Sequence, residues 1–154
     1  MAVVGPGEGS AGDLASAEAV GHALATRGAV VVCGGLGGAM EAACRGAKRG
    51  GGTTVGILPG SDRGAANDYV DVAVPTGLAE GRNALVVRAA DAVIALAGAY
   101  GTLSEIALAL RAGTPVVGLR TWELSREGKP DESILRAATP EEAVDLALTA
   151  AERG

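Results

Sequence analysis

Glu105 is the residue of this 154-residue chain whose type and spacing most directly suggest chemistry. It lies in the stretch ALAGAYGTLSEIALAL, residues 95–110, where a glycine loop leads into an alanine- and leucine-rich helical pattern. Glu105 follows Thr102 by three positions, the spacing of a capping box, in which the glutamate would accept a hydrogen bond from the Thr102 N–H. The same carboxylate could instead orient a ligand or act as an acid or base in catalysis. These residues alone leave the three roles open.

Three glycine loops each follow a predicted strand and open a predicted helix. They read GPGEGS, CGGLGGAME and LAGAYGTLSE. Each loop either makes only a tight strand-to-helix turn or offers free N–H groups and a positive helix end to an anion. Because three such loops occur at one sheet edge, we predict a phosphate or carboxylate site. The backbone groups expected to hold the anion lie near Gly7, Gly9, Gly35, Gly37, Gly101 and Thr102.

Several other kinds of site are disfavoured by the motifs. The strings GPGEGS and GGLGGAM do not fit GxGxxG, and Cys33 instead of an acidic residue ends the second predicted strand, which argues against an NAD-dependent dehydrogenase. The chain has no GxxxxGK[ST], which argues against a P-loop NTPase. His22 is the only histidine and falls within a helical pattern, so Ser–His–Asp catalysis lacks support. Cys33 and Cys44 form no CxxC pair, and we expect two buried thiols and no metal site.

Composition predicts one soluble domain over residues 1–154. Phenylalanine is absent, so the core must be built from Val, Ala, Leu and Ile. The net charge of −5 argues against general nucleic-acid binding, which requires a basic surface. The N-terminus MAVVGPGEGS has no signal-peptide pattern, and no apolar stretch approaches a membrane span. We therefore expect a cytoplasmic protein without membrane contact.

Short apolar runs alternate with helical patterns along most of the chain. This alternation predicts an α/β fold, a doubly wound parallel, Rossmann-like sheet with helices on both faces. In such sheets ligands bind at the carboxyl ends of the strands, where the glycine loops fall. The polar stretch 121–133 is predicted to be a loop, and the sequence leaves the role of the longer loop region 121–138 open. Thr139 and Glu142 are expected to form a capping box. The predicted strands are 2–4, 29–33, 53–58, 70–74, 91–96 and 115–119, and the predicted helices are 13–27, 39–49, 77–90, a helix ending near 112, and 139–154.

Three motifs in order resemble the LOG-like Rossmann superfamily. They are GGLGGAMEAACRGA, TVGILPG and GRNALVVRAADAVIALAGAYGTLSE. The superfamily includes cytokinin-activating phosphoribohydrolases, often mislabelled lysine decarboxylases, and molybdenum-cofactor carrier proteins. The resemblance runs from the first strand to about Trp122.

The last glycine loop carries the most specific part of this resemblance. In the superfamily it usually reads PGGxGTxxE, and an arginine from the preceding helix joins its glutamate. Four residues match, Gly98, Gly101, Thr102 and Glu105, and Arg82 fits the arginine position. Ala97 and Ala99 depart from the pattern, and Asn83 stands where the hydrolases commonly have lysine. The RN pair and the YGTLSEIALAL tail are more similar to the cofactor-carrier branch.

The resemblance implies a binding protein for a phosphorylated small molecule, either a molybdopterin-type cofactor or a nucleotide. The alternative is a nucleoside 5′-monophosphate phosphoribohydrolase in which Glu105 and Arg82 are catalytic, and a weaker third is a sensor domain. No cofactor is required, and the molybdenum cofactor is a candidate cargo. Tyr100 either stacks on a base or pterin or packs on its neighbours, and Arg88 is expected on the surface. The predicted site residues are Gly7, Gly9, Ser10, Gly34, Gly35, Gly37, Gly38, Met40, Glu41, Arg82, Asn83, Gly98, Tyr100, Gly101, Thr102 and Glu105.

A homo-oligomer, dimer or tetramer, is also expected. The segment 80–90 and the helix after Glu105 are apolar yet short of large side chains, which would allow them to pack against copies of themselves. The resemblance to the LOG-like Rossmann superfamily also implies a homo-oligomer.

Overall fold

The computed structural model describes residues 1–153. Nine strands and five α-helices alternate along most of this length. The strands are β1 (Ala2–Val4), β2 (Val31–Cys33), β3 (Thr54–Leu58), β4 (Val72–Pro75), β5 (Val93–Leu96), β6 (Val116–Leu119), β7 (Leu124–Arg126), β8 (Lys129–Asp131) and β9 (Ile134–Ala137). The helices are α1 (Ala11–Thr26), α2 (Ala39–Arg49), α3 (Asn83–Arg88), α4 (Tyr100–Ala112) and α5 (Pro140–Ala151).

Seven strands form one parallel sheet in the order β4-β3-β2-β1-β5-β6-β9. Neighbouring strands pair in parallel throughout, and β1 lies between β2 and β5. The chain builds outward from β1 to β4, crosses back to β5, and continues on the other side. The predicted doubly wound parallel fold is confirmed, and its switch point lies between β1 and β5.

Apolar side chains on the two faces of the sheet form two cores. One core packs strand residues such as Val3 and Ile94 against α1, α2 and α5. The other packs strand residues such as Val4 and Ala95 against α3 and α4. Cys33 and Cys44 are free and buried, as predicted, with their sulfur atoms 3.4 Å apart. None of the helices in residues 1–153 is long and apolar enough to cross a membrane.

The region 121–137 differs from the sequence prediction. Within the expected loop, β7 and β8 pair as an antiparallel hairpin around Glu127 and Gly128, both with positive φ. The next segment, ILRA, forms the edge strand β9 beside β6. The prediction missed β9 because it is short and half-exposed, so its sequence lacks the continuous apolar run of a central strand.

Helix ends account for the other differences. α1 begins at Ala11, because Ser10 and Asp13 form a reciprocal capping box. The predicted helix over 77–90 is interrupted: a 3₁₀ turn, Ala79–Arg82, precedes α3. At α5, Thr139 Oγ1 accepts from Glu142 N–H as expected, but the Glu142 carboxylate accepts from Ala138 N–H instead of Thr139. Gly154, the last residue of that predicted helix, lies outside the described residues.

Candidate functional site

A small cavity of about 170 Å³ opens at the carboxyl edge of the sheet, beside the switch point. The loop after β1 and the loop after β5 leave neighbouring strands toward opposite faces, which opens a crevice between them. The first and third glycine loops and the segment leading into α3 meet there. The cavity is lined by Gly5, Pro6, Gly7, Met40, Arg82, Asn83, Ala99, Gly101, Thr102 and Glu105.

Arg82 is the central charged residue of the cavity. It ends the 3₁₀ turn before α3, and only 8% of its surface is exposed. Its Nη1 lies 4.0 Å from Glu105 Oε1, too far for a hydrogen bond. Among residues 1–153, the buried Nε has no hydrogen-bond partner. A buried guanidinium with so little internal pairing is costly, and an anion in the cavity would remove that cost.

Glu105 faces the same cavity from the second turn of α4. It is also 8% exposed. Burial raises the pKa of its carboxyl group to about 7, although the nearby Arg82 charge lowers it. Near neutral pH the carboxyl is therefore divided between a neutral form, which can donate a hydrogen bond, and a carboxylate.

Thr102 is almost completely buried, with 1% of its surface exposed. Its Oγ1 has no hydrogen-bond partner within residues 1–153. It cannot serve as the cap of a capping box with Glu105, because α4 begins at Tyr100 and its N-cap is Ala99. That interpretation of Glu105 is wrong: the glycine loop ends earlier than the motif spacing implied, so Glu105 lies well inside the helix.

Gly34 has no side chain, and the Arg82 guanidinium occupies the space that one would fill. A Cβ atom at Gly34 would lie 2.3 Å from Arg82 Nη1, so any other residue there would displace the guanidinium. Gly38 has φ +65, and a Cβ there would lie 2.2 Å from the Gly7 carbonyl oxygen. The second glycine loop thus supports the site by packing against Arg82 and the first loop.

Seven predicted site residues line the cavity together: Gly7, Met40, Arg82, Asn83, Gly101, Thr102 and Glu105. Gly34 and Gly38 lie directly behind them. Three further lining residues, Gly5, Pro6 and Ala99, are not among the predicted site residues, although all three belong to the predicted glycine loops. The general rule that ligands bind where strand order reverses would have drawn attention to Gly5 and Pro6.

The other predicted site residues do not line the cavity. Ser10 caps α1: its hydroxyl contacts the Asp13 carboxylate at 2.7 Å. Gly9 packs beside Asp13, whereas Gly35 packs against β3. A Cβ atom at Gly37 would meet only Glu41 Oε2, at 3.9 Å, and Glu41 itself is half-buried. Gly98 packs against Trp122, and Tyr100 is 82% exposed.

Similar proteins are known from sequence and from solved structures. An uncharacterized protein of Archaeoglobus fulgidus is 38% identical over 149 residues, covering 97% of this chain and 94% of that protein. The structure of the molybdenum cofactor binding protein from the phototrophic bacterium Rippkaea orientalis is 36% identical, with a TM-score of 0.87 over 96% of this chain and 94% of that one. The molybdenum cofactor carrier protein MCP from Chlamydomonas reinhardtii is 31% identical, with a TM-score of 0.82 and the same coverage.

Family membership follows from a match that spans most of the sequence. The model of the SLOG cluster4 family matches residues 1–144, which contain every residue that lines the cavity. The solved structures agree with this assignment in fold. The chain therefore belongs to the SLOG cluster4 family.

Proposed function

We propose that the protein binds a phosphorylated small molecule at the cavity beside Arg82, and that a molybdopterin-type cofactor is its first candidate cargo. One observation carries the proposal. Two buried polar atoms, Arg82 Nε and Thr102 Oγ1, have no hydrogen-bond partner within residues 1–153. Both belong to side chains that line the same cavity, so an oxygen-rich anion there would satisfy them together once these side chains turn toward it.

The chemistry of the lining suits a phosphate group. A guanidinium can donate two parallel hydrogen bonds to phosphate oxygens. The Thr102 hydroxyl can donate another, and the first turn of α4 presents backbone N–H groups and the positive end of its dipole. The Glu105 carboxylate would accept a hydrogen bond from an N–H or O–H donor of the ligand and so orient it beside the anion site.

The choice of cargo rests on the similar structures, which are described as molybdenum cofactor binding and carrier proteins. A molybdopterin-type cofactor carries a phosphate, which fits the donor set of the cavity. Asn83 and Ala99 favour a carrier over a hydrolase, because both depart from the hydrolase pattern.

A phosphoribohydrolase is the second candidate, and one observation favours it. The pKa of the Glu105 carboxyl is raised to about 7 by burial. A carboxyl group that titrates near neutral pH beside an arginine suits general acid–base catalysis of N-glycosidic cleavage. In that case Glu105 would activate water or stabilise an oxocarbenium-like ribosyl centre.

Anion-dependent stability tests the binding proposal. Sulfate and phosphate should raise the melting temperature of the wild type more than chloride does at equal ionic strength, because they bind the folded state. Arg82→Gln should abolish this difference. Arg88→Gln is the matched control: it removes the same charge from the exposed end of α3 and should leave the anion effect intact.

The proposal is wrong if sulfate stabilises Arg82→Gln as strongly as it stabilises the wild type. Native mass spectrometry of freshly purified protein tests the cargo separately, because it identifies the compound that copurifies. The molybdopterin assignment fails if a different phosphorylated compound is bound in stoichiometric amount.

Product analysis separates the two candidates. A carrier should leave AMP intact, and Glu105→Gln should weaken binding without unfolding the protein. A hydrolase should release free adenine, and Glu105→Gln should keep AMP affinity while losing roughly 10²–10⁴ in rate. Enzyme-like release of adenine by the wild type, lost in Glu105→Gln, would decide for the hydrolase.

A further inference from the structure

Two of the three aromatic residues of the chain lie together beside the cavity. Tyr100 begins α4, and Trp122 follows β6. Their ring centroids are 5.6 Å apart, with the planes tilted by 35°. We call Tyr100 and Trp122 the aromatic pair. The glycine-loop motif includes Tyr100 but not Trp122, which lies in the polar segment predicted to be a loop.

The aromatic pair is fixed to the loop that lines the cavity. Trp122 Nε1 donates a hydrogen bond to the Ala99 carbonyl at 3.2 Å. A Cβ atom at Gly98 would lie 3.0 Å from the same nitrogen, so glycine is the residue that lets the indole lie over the loop. Ala99 and Gly101 both line the cavity, and Tyr100 lies between them in the chain. The aromatic pair therefore borders the rim of the cavity.

The cavity is too small for an entire nucleotide or pterin phosphate. Its volume is about 170 Å³, whereas sites that enclose drug-sized ligands have roughly 300–1,000 Å³. A ligand whose phosphate occupies the cavity must therefore place its ring outside, along the rim. Tyr100 offers a largely uncovered ring there, with 82% of its surface exposed.

We propose that the aromatic pair is a stacking surface for the planar heteroaromatic ring of the phosphorylated ligand. This inference rests on the proposed function, since the phosphate brings the ring to the rim. Trp122 fixes the loop through its hydrogen bond to the Ala99 carbonyl and packs against Tyr100. The Tyr100 ring would contact the heteroaromatic ring of the ligand. Aromatic stacking tolerates different bases and pterins, because each offers a π face.

The inference predicts that the ring contributes affinity. AMP or 6-hydroxymethylpterin phosphate should bind more tightly than ribose 5-phosphate, by about 5- to 150-fold, the range that a single stacked base usually contributes. Calorimetry would measure the affinities, and chromatography would verify that AMP stays intact. Trp122 is the only tryptophan, so its fluorescence should change when AMP binds and change little with ribose 5-phosphate.

Substitutions at Tyr100 make the test specific. Tyr100→Phe keeps an aromatic face and should keep the preference for ring-bearing ligands, whereas Tyr100→Leu keeps an apolar side chain and should lose most of it. Ribose 5-phosphate should bind both variants like the wild type. Because Tyr100 is exposed, neither change should disturb folding, and circular dichroism would verify this.

The possible outcomes separate this inference from the function on which it rests. If ribose 5-phosphate binds but neither ring-bearing ligand binds more tightly, the stacking surface is wrong and the anion site stands. If Tyr100→Leu retains the full preference, the ring lies elsewhere and the inference is again wrong. If none of the three compounds binds, both the stacking surface and the phosphate site are wrong.

Discussion

At the scale of single residues, the site stands out because its polar groups are buried with weak internal pairing. Arg82 and Glu105 are each 8% exposed, and their nearest charged atoms are 4.0 Å apart. A pair that served stability alone would be expected to close to hydrogen-bond distance, because burial of both charges is otherwise poorly compensated. The open geometry leaves room for a ligand between or beside the two groups.

Glu105 should give the folded protein a measurable pH dependence. Its pKa is about 7 in the folded state, above the ordinary value of 4.5. Between these values the folded state binds more protons than the unfolded state, so the Glu105 contribution to stability is greatest below about pH 4.5 and declines as pH rises through 7. The decline should amount to roughly 3 kcal/mol, at about 1.4 kcal/mol per pKa unit, and Glu105→Gln should not show it.

Urea unfolding of both proteins at several pH values would measure the effect. The difference in unfolding free energy between Glu105→Gln and wild type isolates Glu105, because other carboxyl groups titrate alike in both. This difference should move in favour of the variant as pH rises toward 7. A difference that stays constant with pH would show that Glu105 titrates normally.

At the scale of elements, α1 and α2 pack with their backbones in direct contact. A Cβ atom at Gly21 would lie 1.9 Å from the Ala43 carbonyl oxygen, and one at Gly46 would lie 1.9 Å from the Glu18 carbonyl oxygen. The two glycines thus form a reciprocal contact between the helices. The scarcity of aromatic residues and the abundance of glycine and alanine in the sequence are consistent with such close packing.

Alanine substitutions should separate this packing role from helix propensity. Gly21→Ala or Gly46→Ala should lower the free energy of unfolding by about 1–3 kcal/mol or more, because the helices must separate. Gly12→Ala is the control within α1: its added methyl would lie 3.8 Å from Ser10 Oγ, an ordinary contact. It should be neutral or stabilise by up to about 1 kcal/mol. Equal effects in chemical denaturation at Gly12 and Gly21 would contradict the packing argument.

The elements that sequence predicts well are those with continuous apolar runs. The central strands β1, β2, β5 and β6 are buried on both faces, so their composition alone marks them. The edge strand β9 and the β7–β8 hairpin are largely exposed and lack that signal.

For the candidate site, the sequence motifs select the glycine loops and Arg82 that the structure brings to the cavity. The three-residue spacing of Thr102 and Glu105 was misleading, because a capping box depends on where the helix begins, which spacing does not determine.

At the scale of the whole molecule, the two faces of the sheet are covered unequally. One face carries α1, α2 and α5, whereas the other carries α4 and the six-residue α3. On that second face the edge strand β4 exposes Val72 and Val74, at 49% and 41% of their surface. Both pair in register with residues of β3 that contact the second core. The second core therefore extends into an apolar surface that α3 and α4 leave open.

We propose that this surface, with α3 and α4, packs against a second copy of the chain, as the predicted homo-oligomer requires. Light scattering should give at least a dimer mass at micromolar concentration, at which an obligate dimer persists. The double substitution Val72→Glu and Val74→Glu should shift the protein toward monomer, because two carboxylates would be desolvated at the interface.

Val30→Glu is the control for this double substitution. Val30 is similarly exposed, at 44%, but it precedes β2 at the amino edge of the sheet. This variant should keep the wild-type mass. A monomeric wild type would contradict the oligomer itself, and an oligomer unaffected by the double substitution would place the interface on another surface.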